Sequence, residues 1–287
     1  MKNRSVETIT TGHPLTVGAM SVRQPLPTQR LEQIDPFILL HHFGPVQAEP
    51  GTDPLDLGPH PHRGFEPVTF LYRGGLRHRD SRGNTGHLRG GDVQWMTAGM
   101  GIIHSERASD DFLRQGGVLE GIQLWVNLPA SHKMVQPRYQ DVKLEDIPAL
   151  AYEGAQVRVV AGAFGDAVGP VQTHTPIVAL KVELEAGGRV QLPLPESHNA
   201  LVYFLTGSAQ LNDNWDYSAE TLLHFRRDGA GITLKGIAPF TEALVLSGEP
   251  LNEPVAQWGP YVMNTQSELL EAMRDYQLGR MGVYIED

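Results

Sequence analysis

Gly58-Pro59-His60-Pro61-His62-Arg63-Gly64-Phe65-Glu66 and, further along, Gly99-Met100-Gly101-Ile102-Ile103-His104-Ser105-Glu106 decide how this chain is read. Each stretch carries two metal-competent side chains two residues apart. In an extended chain residues i and i+2 point to the same face, so His60 and His62 form one pair and His104 and Glu106 another. Forty-two positions separate His62 from His104, room for several short strands that bring the pairs together. Three neutral imidazole nitrogens and one carboxylate suit Fe(II), Mn, Ni, Cu or Zn, and an octahedral ion held this way keeps positions open for ligand or oxygen. A lone histidine on an apolar strand is ordinarily a hydrogen-bonded structural residue. The other histidines (His13, His41, His42, His78, His87, His132, His174, His198 and His224) show no such pairing and are read as structural. His41 and His42 are adjacent, so on a strand their rings face opposite ways.

Outward from these stretches the pattern is β throughout. Val68 to Tyr72 is β-branched and aromatic, meets Gly74-Gly75, and is followed by Leu76 to Asp80, which reads as a hairpin because both glycines tolerate positive φ. Ser81 to Asn84 and Gly90-Gly91-Asp92 are further turns, with Val93 to Met96 and Leu119 to Leu128 as strands. Turn signals about every ten residues suggest a sandwich or barrel. Pro129 to Pro148 reads as a linker. A second block begins near Val157 and repeats the style, with strands at Ile177 to Leu184 and Ala200 to Leu205. Two β-barrel domains are therefore expected, at 1–135 and 145–287, alike in texture rather than in letters.

One helix is legible, near 265–278. Thr265 as N-cap with Glu268 three residues on fits a capping box. Leu269, Leu270, Met273 and Tyr276 then fall on one helical face, and Gly279 is placed to end the helix. Glu271 and Asp275 on the polar side argue for packing on protein rather than on a membrane surface.

Composition narrows the function. Cysteine is absent, which excludes disulfides, thiolate nucleophiles and cysteine-based metal sites and fits a reducing cytoplasm. No run of eighteen apolar residues suggests a membrane span, and the polar Met1 to Thr10 lacks the apolar stretch of a secretory signal. A net charge of −10 repels phosphate backbones, so no direct nucleic-acid partner is expected.

At these residues the chain resembles the pirins, a branch of the cupin superfamily. Asp35-Pro36-Phe37 with Leu39-Leu40 looks like the family's early strand. Pro59 to Glu66 is similar to its first motif. The run from Gly90-Gly91-Asp92 through Gln94-Trp95-Met96, Gly99 and Gly101 to His104-Ser105-Glu106 is similar to its second. Glu253-Pro254-Val255, Gly259-Pro260, Val262 to Thr265 and Asp275-Tyr276 continue the likeness to the far end. The resemblance implies an all-β bicupin, two stacked jelly-roll barrels with a C-terminal helix. It also implies one divalent metal, Fe(II) first and Mn, Ni, Cu or Zn as alternatives, held in the N-terminal barrel by His60, His62, His104 and Glu106. Common cupins take their carboxylate from the first motif, where Glu66 stands, and strand parity does not exclude it; pirins use the glutamate two after the last histidine, which Glu106 matches. His41-His42 departs from the family, which often carries an acidic residue first, and this touches the rim of the site rather than its ligands. His198 is followed by Asn199-Ala200, with no His-x-His, so the second barrel is expected to hold no metal.

The resemblance implies two functions. One is a quercetin 2,3-dioxygenase, opening a flavonol or similar small aromatic ring with O2 and releasing carbon monoxide, with Glu106 taking the substrate's hydroxyl proton. The other is a metal-dependent regulatory protein that contacts a transcription factor or metabolic enzyme. The enzyme is favoured because open metal positions need a purpose.

Overall fold

Strands dominate because β-branched and aromatic runs are cut every few residues by glycine and proline turns. The computed structural model describes residues 1–286, so Asp287, the last residue of the expected second domain, lies outside the described residues. The chain forms two units. One comprises Met1–His13, Arg23–Ile38 and Glu145–Leu251; the other comprises Pro14–Val22, Leu39–Leu144 and the segment from Asn252 onward.

The large sheet built mainly from the unit with the paired histidines has seven strands in the order Arg138–Val142, Val93–Thr97, Phe65–Arg73, Gly117–Asn127, Phe37–Ala48, Met20–Leu26 and His13–Val17. A four-stranded sheet packs on them in the order Leu57–His62, Ile102–Ala108, Gly75–Asp80 and Thr85–Arg89. Met20, Val22, Phe43, Leu71 and Leu119 of the first sheet meet Leu76, Leu88 and Ala108 of the second in one apolar cluster. The other unit repeats the scheme, with seven strands from Val6–Thr11 to Ala149–Tyr152 and a four-stranded sheet of Arg189–Pro193, Gly231–Gly236, Ser208–Leu211 and Trp215–Ser218. Its interior is filled by residues such as Leu180, Val182, Phe204, Leu223, Ile232 and Val245. Each such side chain contributes about 1.5–3 kcal/mol on full burial. The expected all-β double barrel is thus present, one barrel in each unit. No helix among the described residues is long and apolar enough to cross a membrane.

The expected division at 1–135 and 145–287 differs at both ends. Val6–Thr11 pairs with Thr221–Phe225 and so belongs to the unit built on 145–251. The segment from Asn252, helix included, belongs to the histidine-bearing unit. Strand pairing over two hundred residues of separation leaves no local signature. The expected linker is also largely structured: Arg138–Val142 pairs with Val93–Thr97 as the edge of the first unit's large sheet. The Gly74-Gly75 pair turns a corner instead of closing a hairpin. Phe65–Arg73 lies in the seven-stranded sheet and Gly75–Asp80 in the four-stranded one.

The C-terminal helix spans Gln266–Gln277, with both halves of the Thr265–Glu268 capping box formed and Gly279 beyond it at φ 71°. Its buried face differs from the expected one. Leu269, Ala272 and Asp275 are buried, whereas Leu270 and Tyr276 are exposed. Asp275 tolerates burial because Arg63 and Arg280 both pair with it.

Candidate metal centre

The small sheet explains how the histidines meet. In the pairing of Ile102–Ala108 with Leu57–His62, His104 stands opposite His60 and Ile102 opposite His62. On the other side Gly75–Asp80 places His78 opposite Glu106 and Asp80 opposite His104. Directly paired residues point to the same face, so this one face of three adjacent strands carries His60, His62, His104, Glu106, His78 and Asp80. Two glycines permit the close approaches around it. Gly64 has φ 86°, and a Cβ there would lie 2.0 Å from the Val262 carbonyl oxygen; Gly101 has φ 125°, and a Cβ there would meet the Met281 side chain at 2.7 Å.

The rings of His60, His62 and His104 lie 4.3–4.8 Å apart, centroid to centroid. Among the described residues, these three form the group whose ligand atoms all fall within 4.8 Å of one another. Each ring has one nitrogen engaged. His60 Nδ1 meets the Gly58 carbonyl oxygen at 2.8 Å, His62 bonds to the backbone of Pro260, and His104 Nδ1 meets His78 Nε2. The opposite nitrogens of two rings, His62 Nδ1 and His104 Nε2, are buried without a hydrogen-bond partner. Burial holds the pKa of both rings well below the usual histidine range, with neighbouring imidazoles adding to the effect. Neutral rings with free lone pairs in one cluster are what a divalent ion needs, since protonated imidazole cannot ligate. An unpaired buried nitrogen is otherwise costly, about 1–3 kcal/mol each. The residues therefore fit a metal.

Glu106 is placed on the same face but outside that tight group. Its carboxylate accepts hydrogen bonds from Thr69 Oγ1 at 3.3 Å and Gln123 Nε2 at 3.2 Å. Burial raises its pKa, with His60, Gln123 and Thr69 opposing that rise. Glu66 takes a different environment. Its neighbour in pairing is Val126, and its carboxylate accepts from Thr97 Oγ1 at 2.6 Å. Thr69 projects to the Glu106 side, and positions 66 and 69 on one strand face opposite ways. The structure thus brings together His60, His62 and His104, holds Glu106 beside them, and directs Glu66 elsewhere.

Three residues escaped the sequence reading. His78 touches His104, Gln123 holds Glu106, and His41 lines an apolar cavity with Met20, Phe43, Leu76, Glu106 and Gln123. His42 faces the opposite way from His41, as adjacent strand residues do, and is bonded to Glu120 at 3.2 Å. Only pairing between distant strands identifies these residues, so nothing local signals them. Phe65 and Trp125 close the apolar side of His62, with ring centroids at 5.1 and 5.4 Å.

The segment from Asn252 backs this site. Arg63, next to His62, bonds Asp275 at 3.0 Å and the Met100 carbonyl at 2.7 Å. The buried Lys133 ammonium donates to the Gly64 and Val262 carbonyls and to Asn127 Oδ1 at 2.7–2.9 Å. Burial lowers its pKa to about 8. Tyr284 and Ser105 share a hydroxyl hydrogen bond of 2.6 Å, between the His104 and Glu106 positions.

Two β-barrels, one with a buried histidine cluster fit for a metal, define a bicupin. The Pirin family model matches residues 19–126 and the model for the Pirin C-terminal cupin domain matches 179–282. This chain belongs to the pirin family. It is 43% identical over 251 residues to a protein of Pseudomonas aeruginosa provisionally named a quercetin 2,3-dioxygenase, covering 87% of each chain. It is 38% identical over 266 residues to a pirin-like protein of Solanum lycopersicum, covering 91% of this chain and 87% of that one. Among solved structures, a quercetin 2,3-dioxygenase from Acinetobacter baumannii superposes with a TM-score of 0.93 at 37% identity, covering 99% of this chain and 100% of that one.

Proposed function

We propose that the chain is a metal-dependent dioxygenase that opens a flavonol or similar enolic aromatic ring with O2 and releases carbon monoxide. The observation that carries this reading is the pair of buried histidine nitrogens without a partner, His62 Nδ1 and His104 Nε2, beside a buried carboxylate that also lines an apolar cavity. The names of the Pseudomonas and Acinetobacter relatives support it. His60, His62 and His104 would hold the ion, with Fe(II) proposed and Glu106 as the fourth ligand. When bound, the ion supplies Lewis acidity and favours the deprotonated, enolate-like form of the substrate.

The chain's own residues supply the rest. Glu106, its pKa raised by burial, is suited to take the proton of the substrate hydroxyl. Thr69 and Gln123 hold its oxygens in place for that transfer. Met20, Phe43, Leu55 and Leu76 give the cavity an apolar lining that excludes water. The cavity measures about 50 Å³, below the ~300 Å³ at which ordinary ligand pockets begin, so substrate entry requires side chains such as Met20 and Leu57 to part.

The test is to load apoprotein in turn with Fe, Mn, Ni, Cu and Zn under anaerobic control. Oxygen uptake and loss of flavonol absorbance are then followed for wild type and His62→Ala. Turnover in at least one metal form, lost in His62→Ala, is the expected result. If no metal form turns over, or the variant matches wild type, the enzyme reading gives way to a metal-dependent binding protein.

A further inference from the structure

His60 and His62 both rest on backbone groups, those of Gly58 and Pro260. His104 differs: its Nδ1 meets a side chain, the Nε2 of His78, with ring centroids 4.5 Å apart. The contact follows from pairing. His78 stands opposite Glu106, and Asp80 opposite His104, so His78 reaches diagonally across one face to the neighbouring strand's histidine. Both rings are buried, at 3% and 2% exposure. One of the two facing nitrogens must carry the proton and the other accept it. A metal-bound His104 uses its unpartnered Nε2, which puts the proton on Nδ1 and makes His78 Nε2 the acceptor.

We propose that His78 is a positioning residue of the metal centre: by accepting the Nδ1–H of His104 it holds that ring in the tautomer and orientation whose Nε2 lone pair faces the ion. The proposal rests on the metal-centre reading, not on the identity of the reaction. Outer partners of this kind typically govern metal affinity by about ten- to a hundredfold. The usual partner is a carboxylate or carbonyl. Asp80, the nearest acid by register, is instead committed to the following turn, accepting from the Arg82 and Asn84 backbone amides and the Asn84 side chain at 2.7–2.9 Å. That leaves the acceptor role to His78.

A second feature makes the proposal testable in an unusual way. A polar cavity of about 520 Å³, lined by Asn84, Gln94, Tyr139 and Asp141 among others, reaches His78. A small heterocycle can therefore enter the space that a truncated His78 leaves.

The experiment measures the affinity of the full-length apoprotein for Co(II) by chelator competition, together with the visible absorption of the bound ion. Wild type is compared with His78→Leu, His78→Gln and His78→Ala, the last with and without imidazole or pyrrole. Unfolding of each apoprotein is monitored in parallel. Leucine keeps bulk without an acceptor, and glutamine restores an acceptor oxygen. The expected result is at least a tenfold loss of affinity and an altered cobalt spectrum in His78→Leu, with both recovered in His78→Gln. Imidazole, which has an acceptor nitrogen, should restore His78→Ala, and pyrrole, which has none, should not. Wild-type affinity and spectrum in His78→Leu would overturn the proposal, as would equal rescue of His78→Ala by both heterocycles. If His78→Leu does not fold, the two heterocycles on His78→Ala decide. A wild-type protein that binds no metal is a separate outcome and removes the metal centre itself.

Discussion

Glu66 and Glu106 show how two buried acids of one barrel come to different ends. Glu66, 1% exposed, has its pKa pushed up to about 7, burial outweighing the Thr97 hydrogen bond. Its unfolded value lies near 4.5, so between these two pH values the folded chain keeps a proton that the unfolded chain has released. Stability therefore falls as pH rises through that window, and the loss is complete above it. For this fully buried group the effect is about 3 kcal/mol. Glu66→Gln cannot ionise and still offers Thr97 an acceptor oxygen. Its stability relative to wild type, from urea unfolding in one metal state, should rise by about that amount between pH 4 and pH 8; parallel curves would contradict the assignment. Metal retention should divide the acids the other way. Glu106→Gln should lose bound metal on dialysis against a chelator far more readily than Glu66→Gln, and retention equal to wild type would remove Glu106 from the ligand set. Parity alone had left both glutamates open; their surroundings separate them.

The segment after Asn252 backs the site from behind His62-Arg63-Gly64. Its first part runs beside the His62-Arg63-Gly64 turn, with Val262 N–H donating to the Arg63 carbonyl at 3.0 Å. Its helix then presents Asp275 to Arg63, whose side chains are 8% and 3% exposed. Removing one partner of a buried pair leaves an uncompensated charge, at a typical cost of about 3–5 kcal/mol. Asp275→Ala should lose stability on that scale in denaturant titration. A change under about 1 kcal/mol would mean that Met100 and solvent suffice for Arg63. The cap of this helix was legible because Thr265 and Glu268 act within one turn. Its buried face was not, because Asp275 goes inward where Arg63, 212 residues away, receives it together with Arg280.

At the scale of the whole molecule, the chain closes each barrel with strands from elsewhere in its length. Arg4 anchors the N-terminal strand in the unit built on 145–251, its buried guanidinium donating to the carbonyls of Gly229, His198 and Pro195 at 2.5–3.0 Å. Arg4→Ala strands these acceptors and should cost about 2–4 kcal/mol. Calorimetry should register the loss as a lower transition temperature; an unchanged transition would show that the strand is held by its ladder alone.

The sequence by itself determined the two side-chain pairs of the candidate site, the all-β class, the duplication and the capped helix. These rest on strand alternation, turn chemistry and capping, which act over a few residues, and on motifs similar to a known family. Only the tertiary structure decided which strands stand side by side. That choice placed His78 against His104, set Gln123 on Glu106, turned Glu66 toward Thr97, and gave the two termini to opposite units. Pairing across a hundred or two hundred residues is chosen by the burial and hydrogen bonding of the whole sheet, and no local pattern of residues records it.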